Sequence, residues 1–151
     1  MAQGDVVFFD QHLLDMAEKQ HDHELDAFNL GYIDAGTTPL VTTSDPHWGG
    51  TGTTNFFLDE VATGGNYTGP ITLANPSAAI VGGLVEIDFD DPAQVAQNAG
   101  NAVDFTWGII YNNTNANKKA VGFVDLGGAF DGTTGDLDVI WGAPCATLNQ
   151  A

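Results

Sequence analysis

Arginine is absent from this 151-residue chain, and lysine occurs only as Lys19, Lys118 and Lys119. Against those three cations stand 20 Asp and Glu residues, for a formal net charge of −17. Binding DNA or RNA depends on Lys and Arg side chains that neutralise phosphates and release counterions. Charge alone therefore argues against a nucleic-acid partner, and an anionic membrane would repel the chain as well. Cysteine occurs once, at Cys145, which leaves no partner for an intrachain disulfide and reads as an inert thiol. No apolar stretch approaches the ~20 residues needed to cross a bilayer. No basic segment precedes an apolar run at the N-terminus, so no signal peptide is expected. The only serines are Ser44 and Ser77, neither in a nucleophile elbow. Nothing matches a P-loop, a dinucleotide fingerprint or H-E-x-x-H. The expectation is a protein with no enzymatic activity and no cofactor.

What the chain does have is turn chemistry. Nineteen glycines and six prolines fall mostly between apolar runs, with abundant Thr and Asn. That pattern favours an all-β domain over a helical one. The length suggests a single domain over residues 1–151, able to bury roughly 70% of the surface its unfolded form exposes. In the last third, Phe105, Trp107, Ile109 and Tyr111 alternate along one face of an extended chain. An Asn/Thr-rich turn ending in Lys118 and Lys119 follows. The next run, Ala120 to Leu126, stops at Gly127-Gly128, and a third places Leu137, Val139 and Trp141 on alternate positions. Three such runs predict an antiparallel meander. The expected fold is an antiparallel β-sandwich, jelly-roll-like, with one short N-terminal helix.

Upstream, Phe9, Leu13, Met16 and Ala17 recur at helical spacing, predicting a helix over residues 10–20 with Asp10 as its N-cap. Phe28, Leu30 and Tyr32 mark a strand. Ala79 to Asp88 reads as a hairpin about Gly82-Gly83, with Val85, Ile87 and Phe89 on its buried face. Residues 36–55 form a long loop carrying Trp48, and Tyr67 sits in a second loop. Long loops in compact domains are often binding elements. Large aromatics in loops either meet a partner surface or fold back as a lid.

His21, Asp22, His23 and Glu24, with His12 upstream, invite a metal reading, because neutral imidazoles ligate Zn²⁺. Histidines two apart diverge on a helix, so a solvated connector is the preferred reading, and no metal is assigned. Asp88, Asp90 and Asp91, and separately Asp131, Asp136 and Asp138, resemble calcium ligands without matching the EF-hand pattern. DGTTGD is more economically a turn. Asn66-Tyr67-Thr68 and Asn112-Asn113-Thr114 match glycosylation acceptors and read as turns.

Three stretches, DPHWGGTGTTN, EVATGGNY and IIYNNTNANKKAVGFVDLGG, occur in this order after the opening GDVVFFDQHLLDMA. From about Gly4 to Trp141 the chain resembles a family of small structural proteins of tailed bacteriophages. It departs from that pattern at the C-terminus, where ATLNQA is short and polar and relatives tend to end in a further apolar strand. The resemblance implies a non-enzymatic virion component made in the host cytoplasm. Its partners would be the major capsid protein or other virion proteins. A capsid decoration (cement) protein on the outer face of the head is the leading expectation, as a homo-oligomer with a trimer favoured. A tail or baseplate component of the same virion is the first alternative. A carbohydrate- or receptor-binding module built on Trp48 and Tyr67 is the second. Candidate contact residues are Val6, Val7, Phe8 and Phe9, read either as an arm spanning residues 1–9 or as the first strand, together with Trp48, Tyr67, Lys118 and Lys119.

Overall fold

The computed structural model describes residues 5–148. Ten strands and one α-helix follow in the order β1 (Val6–Phe8), α1 (Asp10–Ala17), β2 (Phe28–Ile33), β3 (Pro46–His47) and β4 (Thr54–Asn55). A 3-10 turn (Phe56–Asp59) precedes β5 (Ile71–Thr72), β6 (Ser77–Val81), β7 (Leu84–Asp88), β8 (Phe105–Asn112), β9 (Ala120–Phe130) and β10 (Ala146–Leu148). Among the described residues strands hold 37% and helix 8%, so the expected all-β, sandwich-like class is the one observed.

A five-stranded antiparallel sheet, in the order β1-β9-β8-β2-β5, forms the centre, and a three-stranded sheet, β10-β7-β6, packs over it. Phe28, Leu30 and Tyr32 of β2, with Phe105, Ile110, Val121 and Val124, face Ile87 of β7 and bring Phe89, Trp141 and Cys145 into one core. The opposite face of the large sheet is covered too. Phe9, Ile33, Trp48, Phe56, Ile109, Tyr111 and Phe123 make a second cluster there. An antiparallel sheet commonly leaves one face to solvent. Here both faces are dry, and so seven of the eight residues of β8 are buried.

The β6–β7 hairpin forms as expected, with Gly82 (φ 59°) and Gly83 (φ 82°) supplying the two left-handed residues of its turn. The closing meander is corrected in two places. Phe105 pairs with Phe130 but Trp107 with Asp125, so β9 bulges between them and the alternation of β8 is broken there. Phe105 therefore belongs to the first core, whereas Ile109 and Tyr111 belong to the second. The run Leu137-Val139-Trp141 is buried but joins no sheet. Among the described residues its backbone pairing is the isolated bridge of Leu137 to Val95, which itself lies outside any strand. The place expected for that third strand, beside β9, is taken by β1.

The N-terminal helix is shorter than predicted and turned over. It spans Asp10–Ala17, its N-cap is Phe9, and no side chain caps it. Leu13 and Leu14 are 52% and 51% exposed, while His12 and Asp15 are fully buried. The apolar spacing of Leu13 with Met16 thus does not mark the inward face.

Candidate functional site

Because α1 presents His12 and Asp15 inward, the side chains they meet were not legible as a group. The connector after the helix folds beneath it and brings His21 and His23 alongside. His12 and His23 meet Nε2 to Nε2 at 3.3 Å, one ring donating and the other accepting. His21 lies 5.1 Å from the His12 ring, centroid to centroid, with its Nε2 3.8 Å from Asp15 Oδ2. The preferred solvated-connector reading is therefore wrong for these side chains. The segment descends because Asn112, at the end of β8, holds it. The Asn112 amide nitrogen donates to Asp26 Oδ2 at 2.6 Å and lies 3.1 Å from His21 Nδ1. Phe28 closes the cluster from β2, stacked flat on His23 at 4.9 Å.

Lys119 enters from the start of β9. Its ammonium contacts Asp15 Oδ1 at 3.2 Å and Asp45 Oδ1 at 3.0 Å. Burial works to lower its proton affinity, but the hydrogen bonds and charges of Asp45 and Asp15 outweigh it and raise the pKa. Burial dominates at the histidines. It lowers His12 to about 2, with the charges of His21 and His23 adding to the effect. It likewise lowers His21 and His23 to about 4. All three imidazoles are neutral at pH 7. Four cluster atoms, His12 Nδ1, His21 Nε2, His23 Nδ1 and Asp15 Oδ2, are buried with no hydrogen-bond partner. Among the described residues, no three His, Cys, Asp or Glu side chains are grouped so as to hold a metal ion. Several of the carboxylates weighed as calcium ligands have backbone partners. Asp88, Asp91 and Asp136 accept from the backbone N–H groups of Cys145, Trp141 and Gln97.

The loop aromatics do not present themselves to a partner. Trp48 is 5% exposed and stacks flat on Tyr111, over Gly31, where a Cβ would lie 2.3 Å from the indole. Tyr67 is fully buried against Tyr32 and Phe105, and its hydroxyl accepts the Tyr32 N–H while donating to Glu60. Both are lids folded back on the sheet, so neither supplies the open plate a sugar would stack on. Lys118 is tied to the Asn113 side chain and carbonyl, and Lys119 to Asp15 and Asp45. Lys119 is thus ion-paired within the chain, whereas the Lys118 partners are uncharged.

Val6 to Phe9 are placed differently. Val6, Val7 and Phe8 form β1, paired with Val124, Phe123 and Gly122 of β9, and Phe9 is buried in the second core. Residues 6–9 are thus the start of the fold and not a detached arm, while residues 1–4 lie outside the described part. The same stretch also walls a cleft of about 620 Å³. Its other walls are Leu13 of α1 and the segment Pro144–Leu148, which contains β10. Among the described residues β1 and β10 are each the edge of their sheet. The C-terminal segment, polar by sequence, is drawn into a strand by pairing with β7, Ala146 opposite Ile87. No protein-family model, curated protein or solved structure matches the chain.

Proposed function

We propose that the protein is a structural component of a tailed-phage virion that decorates the outer face of the capsid by binding major capsid subunits. The observation that carries the reading is the cleft between β1 and β10. Two sheet edges border it, and edges offer main-chain hydrogen bonds to an added strand, with pockets beside them for alternate side chains. Its lining includes Val7, Phe8, Leu13 and Leu148, with Asp5 and Asp10. An extended apolar capsid segment flanked by Lys or Arg fits that combination. A second copy of this chain, itself at −17, fits it poorly.

Charge supports the outer face over the inner one. Two of three lysines are engaged within the chain, so what remains outside is almost wholly anionic and is repelled by packaged DNA. Trimers at the shell's threefold positions complete the proposal, through surfaces other than the cleft.

The test is an electron-microscopy map of the intact particle combined with quantitative mass spectrometry of its proteins. Many copies spread over the shell, with capsid density in the β1/β10 cleft, support the reading. A single ring of copies on the tail assigns the protein there instead, and absence from the particle ends the proposal.

A further inference from the structure

Helix α1 is held by chemistry that a change in acidity can undo. Its fully buried side chains are His12 and Asp15, with Met16 half-buried against the first core, its leucines point out, and it is only eight residues long. A helix that short has marginal stability in water once undocked. We propose that α1 and the connector through Asp26 form an acid-released latch. Protons entering the His12–His21–His23 cluster undock this segment while the five-stranded sheet stays folded.

The geometry specifies where the proton does damage. The 3.3 Å contact between His12 Nε2 and His23 Nε2 needs one N–H and one lone pair. A second proton sets two N–H groups against each other. His12 is packed against Phe8, His21 and His23, and His23 against Phe28 and Phe89. Charged groups approach from every other side. Asp15 comes from α1, Asp22 and Asp26 from the connector, Lys119 from β9 and Asp45 from the long loop. Asp15 and Asp26 favour a proton on His21, and Asp22 and Asp26 favour one on His23, whereas the burial and charges acting on His12 all oppose one. His12 is therefore the group whose charging the closed state tolerates least. The orphaned His12 Nδ1 and His23 Nδ1 offer no relief, since an added N–H there finds no acceptor.

The sign follows from linkage. The closed cluster stays neutral down to about pH 4 at His21 and His23 and about pH 2 at His12, whereas exposed imidazoles take up protons near 6.5. Opening therefore binds protons, and the opening constant rises as pH falls from 6.5 towards 4. With three protons taken up, the rise approaches roughly a thousandfold per pH unit, and about tenfold with one. Above pH 6.5 the histidines impose no dependence. The inference rests on the cluster alone and holds whether or not the cleft binds a capsid.

Amide hydrogen exchange on the full chain between pH 7.5 and 4.5, corrected for intrinsic rates, tests it. The expected result is protection across residues 10–26 falling at least tenfold per pH unit below 6.5, with β8 and β9 amides unchanged. His12→Gln/His21→Gln/His23→Gln, which keeps polar side chains but leaves no imidazole in the cluster to titrate, should flatten that profile. Flat protection in the wild type overturns the latch, as does opening that runs in parallel with β8 and β9. Direct NMR titration of the wild-type imidazoles gives a reading that does not depend on the variant folding, and ordinary values near 6.5 also overturn it. So does micromolar Zn²⁺ that protects residues 10–26 and abolishes the pH dependence, which would make these nitrogens metal ligands.

Discussion

Trp48 lies flat on Tyr111, ring centroids 5.3 Å apart and planes within 3°, and the pair seals the second face of the five-stranded sheet. Trp48→Ala should cost about 3–5 kcal/mol, as for other large aromatics removed from cores, measured by urea denaturation. Gly31→Ala probes the same contact from below, because its Cβ would collide with the indole. A loss of about 1–3 kcal/mol is expected, with a shift in Trp48 fluorescence. A Trp48→Ala variant of unchanged stability would sink the lid assignment.

Lys119→Met leaves Asp15 fully buried without its cation. Stranding one member of a buried pair costs roughly 3–5 kcal/mol. Adding Asp15→Asn should recover much of that loss, since no uncompensated charge then remains. Equal melting temperatures for the single and double variants would contradict the assignment.

Tyr67→Phe removes the hydroxyl that accepts the Tyr32 N–H at 3.2 Å and donates to Glu60 at 3.0 Å. The ring stays, so packing is kept while a buried N–H loses its acceptor. A cost of about 1–3 kcal/mol follows, with no change in binding to capsids. Chemical denaturation and a pull-down on purified heads check the two halves.

Leu13→Asp adds charge to a wall of the β1/β10 cleft at a position already half exposed. Stability should change by no more than about 0.5 kcal/mol, as for most surface substitutions. Capsid binding should fall at least tenfold, read by co-sedimentation with purified heads. Binding in the wild type should also weaken from 0.1 to 1 M salt, as the screening length shrinks from about 10 to 3 Å. Undiminished binding of the variant would remove the cleft from the interface.

Cys145 is buried, and its thiol donates to the Ile87 carbonyl. Burial, aided by the charge of Asp88, pushes it up to about 12, so the reactive thiolate is scarce at any ordinary pH. Alkylation at pH 8 should be undetectable in the native protein and rapid in urea. Fast native labelling would show that β10 opens readily from β7.

Strand content, the β6–β7 hairpin and β2 were legible because each rests on local signals: paired glycines, or alternation uninterrupted by a bulge. The offset at Phe105 was not, since its mark, Gly127-Gly128 at positive φ, sits on the partner strand β9 and reads equally well as the end of that strand. The packing of residues 36–55 was not legible because Leu40, Val41 and Trp48 show no strand or helix periodicity. What fixes it is backbone pairing, Trp48 N–H to the Lys118 carbonyl and His47 opposite Lys119. The histidines are visible in the sequence, but their spacing favours a solvated connector. The available signal was His12 and Asp15, three apart on one helical face, facing a connector with two more histidines. Hydrophobic spacing pointed to the opposite face and hid it.

That inverted face has a consequence for the order of assembly. Early collapse is driven by apolar surface, and on α1 that surface is Leu13 and Leu14, the side that ends up outside. Met16 is the one helix side chain with an apolar contact to the first core, so docking waits until the sheet has built the seat of Asn112, Lys119 and Phe28. Its contacts should be absent from the folding transition state, with φ-values near zero across residues 10–17. A transient species with the leucines turned inward should precede the native docking. Values near one in this helix would mean that the seat and the helix form together.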